Sequence, residues 1–516
     1  MKLLLPTLVA ATMVANCTPS HSKVHSEQNT SNIEINLSKP AQTFEGWGAG
    51  LSWWASVVGQ TKFDGMYSDL FFTDKTVEVL GKKLPGLNLN LARYNIGGGG
   101  DLSNGERQTD EFHWWKDVDG FQLEPIEVPE DQLEIAGENE TVIRPDLVDL
   151  NTDKWDWSRD AHQRHMLDLA QKRNVDTVEF VAHAPLWWMN DSQSSQGGRL
   201  LDERIRDHAH HLAQTIRYAE ENWNVKVSSV EPFNEPVSWW WNYGEIQQEG
   251  ILIPREQQVK VLKELRPMLD GVGKSGVKIA ASDENIVDQA IDTYKAFKNA
   301  GVDHLVDKVN VHSYHGLNPY RDNGKRKELR QVVPANKRIW MTEYGDGDGS
   351  GMDTAQTITE DLKHMKASAW FYWQPLEPYS GWGLINGEYE DKEKAGPNLA
   401  RPYQLYNKYY VFAHYTRFIK PGFQLFEVAD ENTTLAYSKD QKQLVVVTYH
   451  RGPAKAINID LSALGLKDTK AALVSTHASS EDHLFINSEI QVTEGKIQID
   501  AETSSIYTIV IDGVNL

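Results

Sequence analysis

The sequence predicts an α/β fold in which a closed (β/α)8 TIM barrel is followed by an associated C-terminal β-sandwich. Eight apolar, strand-like runs alternate with helical patterns between about residues 42 and 420, and this alternation favours a closed barrel. Short alternating segments separated by turn residues then follow to the C-terminus, as in an antiparallel sandwich. At 516 residues the chain is long enough for both units.

The barrel strands are predicted as short apolar runs, because parallel strands are buried on both faces. The eight runs are 43–48, 87–94, 177–182, 227–232, 277–281, 308–312, 338–342 and 369–373. The clearest helical patterns are 159–173, 202–222, 255–272, 288–300 and 403–417. Pro254 directly precedes the third of these helices, where a helix start tolerates proline.

The β-sandwich is predicted from the change of pattern after Pro421. Its strands are expected at 434–437, 443–449, 456–461, 471–476, 496–499 and 505–511, and a strand-like stretch at 33–37 is expected to join them. The predicted organisation is therefore a signal peptide at 1–16, a lipidated tether at 17–32, an N-terminal strand at 33–41, the barrel at 42–420 and the sandwich at 421–516.

The N-terminal segment resembles a bacterial export signal, with a basic start and an apolar run too short to span a bilayer. The stretch 14–17 resembles a lipoprotein processing box, in which Cys17 would carry the lipid. An ordinary secretory signal with an incidental cysteine is the alternative. Since Thr18 is not an inner-membrane retention signal, we expect an outer-membrane lipoprotein of a bacterium, with the membrane face left open.

The net charge and the tryptophan content limit the classes of molecule that this protein is expected to bind. The net charge of −21 argues against nucleic acid, whose phosphates require clustered cations. Many of the 17 tryptophans occur as doublets or triplets at 53–54, 114–115, 187–188 and 239–241. Core packing explains individual members, but the set is typical of stacking platforms for sugar rings. Trp187 and Trp240 are therefore candidate sugar-binding residues, and the long acidic loop at 97–152 is expected to be functional.

Two glutamates stand where predicted barrel strands end. Glu235 follows the fourth strand, between Asn234 and Pro236, and Glu343 follows the seventh. The carboxyl ends of barrel strands meet at one face, and two carboxylates held there can hydrolyse a glycosidic bond. We predict Glu235 as the acid/base and Glu343 as the nucleophile of a retaining glycoside hydrolase. Pro236 is expected to keep the backbone of Glu235 extended.

Polar side chains at neighbouring strand ends are candidates to hydrogen-bond the two glutamates or the substrate. Arg93, Tyr314 and Tyr344 could donate hydrogen bonds that keep the nucleophile ionised, and Asn234 could bind a sugar hydroxyl. A strand-end glutamate taken alone is usually a solvated loop residue. The coincidence of two such motifs at the fourth and seventh strands makes the catalytic interpretation the stronger one.

The histidines do not predict a metal centre. His183, His312 and His315 lack the spacing of a zinc site. We expect His312 to hydrogen-bond sugar or carboxylate instead, and we expect neither a metal nor an organic cofactor.

The chain resembles glycoside hydrolase family 30, and the resemblance covers nearly all of it after the tether. The sequences FEGWG at 44–48 and YWQP at 372–375 are similar to family motifs. GWGAGLSWWA at 46–55 and ARYNIGGG at 92–99 resemble the endo-β-1,6-galactanase branch. The resemblance implies the same roles for Glu235 and Glu343. It also implies that the subsite next to the cleaved bond is lined by Trp47, Arg93, Asn234, Tyr314 and Trp373.

The leading hypothesis is therefore endo-hydrolysis of β-1,6-linked galactan, as in arabinogalactan side chains, by a monomeric enzyme. The same chemistry on β-1,6-glucan, a β-glucoside, a β-xyloside or a β-fucoside is the first alternative. The second is a lipid-anchored glycan-binding protein that does not cut, although such a protein has no use for two mutually repelling carboxylates.

Overall fold

A computed structural model describes residues 30–100, 113–125, 133–135, 141–143, 145–241, 247–314, 323–379, 381–466 and 468–515. The predicted signal peptide, Cys17, nearly all of the tether, His315 and parts of the 97–152 loop lie outside these residues. Among the described helices, none combines the length and apolar character that crossing a membrane requires.

The first unit is a barrel of eight parallel strands. In chain order they are β1 Gly46–Gly50, β2 Leu91–Asn95, β3 Thr177–Val181, β4 Val227–Glu231, β5 Lys278–Ile279, β6 Lys308–His312, β7 Arg338–Glu343 and β8 Ala369–Tyr372. Each overlaps a predicted run. The sheet order is β5-β4-β3-β2-β1-β8-β7-β6. Single parallel bridges from Ala280 to Lys308 and from Glu284 to Val311 bring β5 against β6 and close the barrel.

Helices pack around the barrel. They are α1 Trp54–Val58, α2 Asp64–Phe72, α3 Ala161–Gln171, α4 Ile205–Asn222, α5 Arg255–Gly271, α6 Val287–Asn299, α7 Asn323–Val332, α8 Met352–Glu360, α9 Lys392–Ala395 and α10 Lys408–Thr416. The helix expected at 403–417 is shorter than predicted. Its start is instead a strand, Pro402–Leu405, which pairs with Ile385–Gly387 in the loop after β8.

The second unit is an antiparallel sandwich. Its strands are β9 Gln424–Phe426, β10 Thr433–Ser438, β11 Gln443–His450, β12 Lys455–Asp460, β13 Thr469–His477, β14 Ile486–Val492, β15 Lys496–Ala501 and β16 Ser505–Ile511. These strands form two sheets, one of seven strands and one of three, and each sheet includes one N-terminal strand. Pro40–Thr43 pairs with β9 in the larger sheet, and Thr30–Glu34 pairs with β12 in the smaller one. The predicted fold class is confirmed, and the N-terminal contribution is two strands where the sequence predicted one.

The sandwich packs against the barrel through α10. His414 in this helix is fully buried, and its ring nitrogens lie 2.8 Å from the hydroxyls of Thr508 and Thr476 in the sandwich. Arg451, in the loop after β11, forms an ion pair with Asp353 of α8. The second unit therefore reaches the carboxyl-end face of the barrel.

Candidate active site

The carboxyl ends of the barrel strands converge on one cleft of about 1180 Å³. His183 follows β3, Asn234 and Glu235 follow β4, and Asn285 follows β5. Tyr314, Glu343 and Trp373 come from the ends of β6, β7 and β8 and also line the cleft. The structure thus brings together side chains from six strand ends, as expected for a barrel of this type.

The backbone at Glu235 forms a turn and is not extended. Its φ is +47°, in the left-handed region, so the expectation of an extended residue was wrong. Pro236 disfavours right-handed helical angles for the preceding residue but does not exclude the left-handed region. The turn is fixed by two hydrogen bonds: the Glu235 N–H donates to the Asp283 carbonyl at 2.9 Å, and Trp241 Nε1 donates to the Glu235 carbonyl at 2.8 Å.

The Glu235 carboxylate contacts two side chains from neighbouring strand ends. Asn285 Nδ2 donates to Glu235 Oε1 at 2.6 Å, and His312 Nδ1 lies 3.0 Å from the same oxygen. Only 7% of Glu235 is exposed to solvent. The carboxylate is therefore oriented by two polar partners before any substrate binds.

Glu343 ends β7 and faces Glu235 across the cleft floor. The Tyr314 hydroxyl donates to Glu343 Oε1 at 3.1 Å, and His312 Nδ1 lies 3.5 Å from that oxygen. Burial raises the pKa of Glu343 to about 8, the positive charge of His312 opposes this shift, and the negative charge of Glu235 adds to it.

His312 lies between the two glutamates and a third carboxylate. Its Nε2 is 3.3 Å from Asp283 Oδ1, on the side opposite to Nδ1. Burial by itself lowers the pKa of His312, but the charges of Glu343 and Asp283 outweigh this and raise it well above its ordinary value. His312 therefore carries a positive charge at neutral pH, directed at both glutamates.

The separation of the glutamates indicates the stereochemical course. One oxygen of Glu235, one of Glu343 and a ring nitrogen of His312 all lie within 4.8 Å of one another. Retaining glycosidases hold their carboxyl groups roughly 5–5.5 Å apart, against roughly 6.5–9.5 Å in inverting enzymes. An oxygen-to-oxygen distance of at most 4.8 Å is compatible with the retaining arrangement and short for the inverting one. Among the described residues this trio is also the set that could hold a metal ion, although His312 already supplies a positive charge there.

A buried chain of alternating charges supports the site from below. Arg93 on β2 pairs with Asp283 and, at 3.0 Å, with Glu179 on β3. Lys308 at the start of β6 pairs with Glu179 at 2.6 Å. All four side chains are at most 5% exposed. Since Asp283 also faces His312, the charges run in alternation from Lys308 up to the catalytic face.

Aromatic side chains cover much of the cleft surface. Those in the lining are Trp53, Trp115, Trp240, Tyr314, Tyr344, Trp373, Tyr379 and Trp382. Trp373 is edge-to-face with Trp53 at 5.1 Å between ring centroids. One member of three of the four predicted tryptophan clusters faces the cleft. Of the neighbours, Trp54 and Trp241 are buried and Trp239 is largely exposed. Such rigid apolar faces suit the C–H face of a pyranose.

Two predicted sugar-binding tryptophans lie elsewhere. Trp47 on β1 is 1% exposed and packs against α10, with its Nε1 donating to the Ile419 carbonyl at 2.7 Å. It is a core residue, so the predicted contact with sugar was wrong. Trp187 is half-buried in a short 3₁₀ turn and is not part of the cleft lining.

Arg93 lies beneath the cleft and is not part of its lining. It donates to the Thr342 carbonyl at 3.3 Å, next to the nucleophile, and its positive charge lowers the pKa of Glu343, in agreement with the prediction that it favours the ionised form. Asn234, Tyr314, Trp240 and Trp373 do line the cleft. The Oδ1 of Asn234 is buried there without a donor from the described part of the chain.

Sequence reasoning missed the residues after β5. Asp283 and Asn285 contact His312 and Glu235 respectively, and both directly follow the predicted fifth strand. The strand-end rule that selected Glu235 and Glu343 also applied to them. They were overlooked because their segment has neither a proline nor an aromatic residue to mark it.

Comparison with known proteins identifies relatives over most of the chain. No family model matches it. It is 31% identical over 486 residues to an endo-β-1,6-galactanase of Hypocrea rufa, covering 92% of this chain and 93% of that protein. It is 23% identical over 412 residues to an exo-β-1,6-galactobiohydrolase of Bifidobacterium longum subsp. longum, covering 65% of this chain and 26% of that protein.

Among solved structures, the catalytic domain of GH30 xylanase C from Talaromyces cellulolyticus aligns with a TM-score of 0.66 at 17% identity, over 93% of this chain and 100% of that one. A closed barrel with paired carboxylates at its carboxyl-end face is the architecture of a glycoside hydrolase. The endo-β-1,6-galactanase, which aligns over more than nine-tenths of both chains, narrows the class of glycoside hydrolases to one family. The chain belongs to glycoside hydrolase family 30, in the branch that includes the endo-β-1,6-galactanase.

Proposed function

We propose that this protein is a retaining endo-hydrolase of β-1,6-linked galactan, with Glu235 as acid/base and Glu343 as nucleophile. The observation that carries the chemistry is the pair of buried carboxylates within 4.8 Å at the ends of β4 and β7. The substrate follows from the relatives, because both are named for β-1,6-galactan linkages and one aligns over almost its whole length.

In the first step, Glu343 attacks the anomeric carbon and forms an ester bond to the sugar. The bond to the leaving oxygen breaks, and Glu235 donates its proton to that oxygen. Negative charge therefore moves from Glu343 to Glu235. His312 lies 3.5 Å from the first carboxylate and 3.0 Å from the second, so one fixed positive charge stabilises the anion in both positions.

In the second step, Glu235 accepts a proton from water, and the oxygen of that water attacks the anomeric carbon. The ester bond to Glu343 breaks, the sugar leaves with its original configuration, and the pair again holds one proton. The Tyr314 hydroxyl, 3.1 Å from Glu343 Oε1, is placed to stabilise the returning carboxylate. These groups are all in place before substrate binds, so the site needs little reorganisation.

Endo action is supported by the size and composition of the cleft. Its volume of about 1180 Å³ exceeds the roughly 300–1,000 Å³ of pockets for single drug-sized ligands. Aromatic rings from several loops line it: Trp240 belongs to the loop after β4, while Trp53 and Trp115 belong to loops after β1 and β2. A chain of several sugars can therefore lie along the cleft.

The test is digestion of arabinose-trimmed arabinogalactan and of β-1,6-glucan by the purified protein, with the products separated by size. We expect galactose oligomers of several lengths from the first substrate and none from the second. Glucose oligomers alone would reassign the substrate to β-1,6-glucan, and release of monosaccharide alone would contradict endo action. Glu343→Gln is the matched inactive control.

A further inference from the structure

A third carboxylate, Glu377, lies in the cleft and is not used by the two-step mechanism. It belongs to the loop after β8 and is 5% exposed. Gln374 Nε2 donates to Glu377 Oε1 at 2.9 Å, and Gln374 Oε1 in turn accepts from the Trp53 N–H at 3.2 Å. The position of Glu377 is thus tied to two of the loops that carry the cleft tryptophans.

The backbone around Glu377 is equally constrained. Leu376–Glu377 forms a short parallel bridge with Ile385–Gly387, which pairs in turn with Pro402–Leu405. A side chain on such a small sheet is fixed more firmly than one on an open loop. Glu377 is therefore preorganised and does not have to be recruited by substrate.

Glu249 is another buried carboxylate in the cleft lining, and its hydrogen bonds are those of a structural residue. Its Oε1 accepts from the Gly98 N–H at 2.6 Å, and its Oε2 accepts from Asn95 Nδ2 at 2.8 Å. Both of its oxygens are occupied by the protein. Glu377 receives a single hydrogen bond from the described residues, which leaves acceptor capacity for a ligand.

The location of Glu377 assigns it to the sugar that is retained on the enzyme. Glu235 protonates the leaving oxygen, so the leaving group passes along the loop after β4. Glu343 ends β7, and β8 is its neighbour in the sheet, so the sugar that bonds to Glu343 is adjacent to the loop after β8. Trp373 belongs to that loop, and Gln374 links Glu377 to Trp53.

We propose that Glu377 is a specificity-determining residue, whose carboxylate accepts hydrogen bonds from hydroxyls of the retained galactose and so distinguishes galactose from glucose. This inference rests on the proposed function and identifies the residue that selects its substrate. Galactose and glucose differ in the orientation of one hydroxyl. A fixed carboxylate accepts strongly from a correctly placed hydroxyl, and it is left with an unmatched buried charge when that hydroxyl points elsewhere.

The electrostatic setting of Glu377 agrees with this role. Burial raises the pKa of Glu377 to about 7, and the hydrogen bond from Gln374 limits the rise. Hydroxyl donors from a bound sugar favour the ionised form. A galactose that donates to the carboxylate is therefore bound to the anion, whereas an empty cleft near neutral pH holds a mixture of acid and anion.

The test measures kcat/KM of wild type, Glu377→Gln and Glu249→Gln on the p-nitrophenyl glycosides of β-1,6-galactobiose and of gentiobiose, the glucose counterpart. Removal of the charged acceptor is expected to lower the galactoside-to-glucoside ratio by roughly 10- to 100-fold. Glu249→Gln is expected to leave that ratio unchanged. An equal loss on both glycosides in Glu377→Gln would show a structural role and overturn the proposal.

Direct binding keeps the test independent of catalysis. Calorimetry with β-1,6-galactobiose and gentiobiose compares Glu343→Gln with the double variant that adds Glu377→Gln. Selective loss of galactobiose affinity in the double variant supports the role of Glu377, and an unchanged affinity ratio contradicts it. A wild-type protein that cleaves neither glycoside nor galactan would refute the proposed function, while the binding ratio still decides the role of Glu377.

Discussion

His312 favours the ionised form of Glu343, and replacing His312 with glutamine tests this role. The nucleophile must be ionised to attack, and burial raises its pKa while the positive charge of His312 opposes that rise. The positive charge of His312 favours the anionic forms of both carboxylates. His312→Gln removes this charge and retains a side chain that can donate a hydrogen bond. The pKa of Glu343 should therefore rise further in this variant.

The size of the shift follows from the distances. At an effective dielectric constant of about 20, a unit charge 3.5 Å from Glu343 Oε1 is worth about 5 kcal/mol. This corresponds to an upper limit of roughly 3.5 pKa units. Because Asp283 also faces His312 and offsets part of its charge, we expect a displacement of about one to two units.

The assay is the pH dependence of kcat/KM on β-1,6-galactan from about pH 4 to 10, where both limbs of the bell-shaped profile are visible. In His312→Gln the acidic limb, which reports the ionisation of Glu343, should move in the alkaline direction. His183→Gln is the matched control, because burial lowers the pKa of His183 to about 3 and its replacement removes no charge at assay pH. Reduced activity in His312→Gln with the acidic limb unmoved would refute the electrostatic role.

Three further predictions concern the acid, the buried charges and the N-terminus. Glu235→Gln should lower kcat on galactan by roughly 10²–10⁴-fold, and azide should restore turnover of an aryl galactoside with a good leaving group; absence of rescue would contradict its assignment as acid/base. Glu179→Gln leaves Arg93 with one buried partner fewer and should lower the free energy of unfolding in urea by about 3–5 kcal/mol, whereas Glu489→Gln, in an exposed ion pair, should leave the midpoint unchanged. Cys17→Ser should abolish incorporation of labelled palmitate in a bacterial host, and unchanged labelling would remove the lipoprotein interpretation.

The barrel could be predicted because its strands are short apolar runs that alternate with helical patterns, and every predicted run overlaps an observed strand. The helix predicted at 403–417 failed at its start because residues 402–405 pair with a strand in the loop after β8, a non-local contact. Local pattern contains no information about that partner. Glu235 and Glu343 could be located because a barrel directs its strand ends to one face.

The direction and depth of side chains in the barrel could not be predicted from the sequence. Residues along a strand alternate between the barrel axis and the surrounding helices, and the motif that contains Trp47 does not show which side that residue takes. Arg93 lies toward the axis but below the cleft, at a depth that depends on the barrel stagger. Asp283 and Asn285 were within reach of the strand-end rule, and applying it to all eight strands would have included them.

The central claim is that Glu343 forms a covalent bond to galactose during hydrolysis. The most direct measurement is incubation of the protein with a 2-deoxy-2-fluoro-β-galactosyl reagent that has a good leaving group, followed by protease digestion and mass spectrometry. We predict one added fluorogalactosyl unit on the peptide that contains Glu343, and none in Glu343→Gln. An active enzyme labelled at another residue, or one that releases the inverted anomer as its first product, would contradict the account.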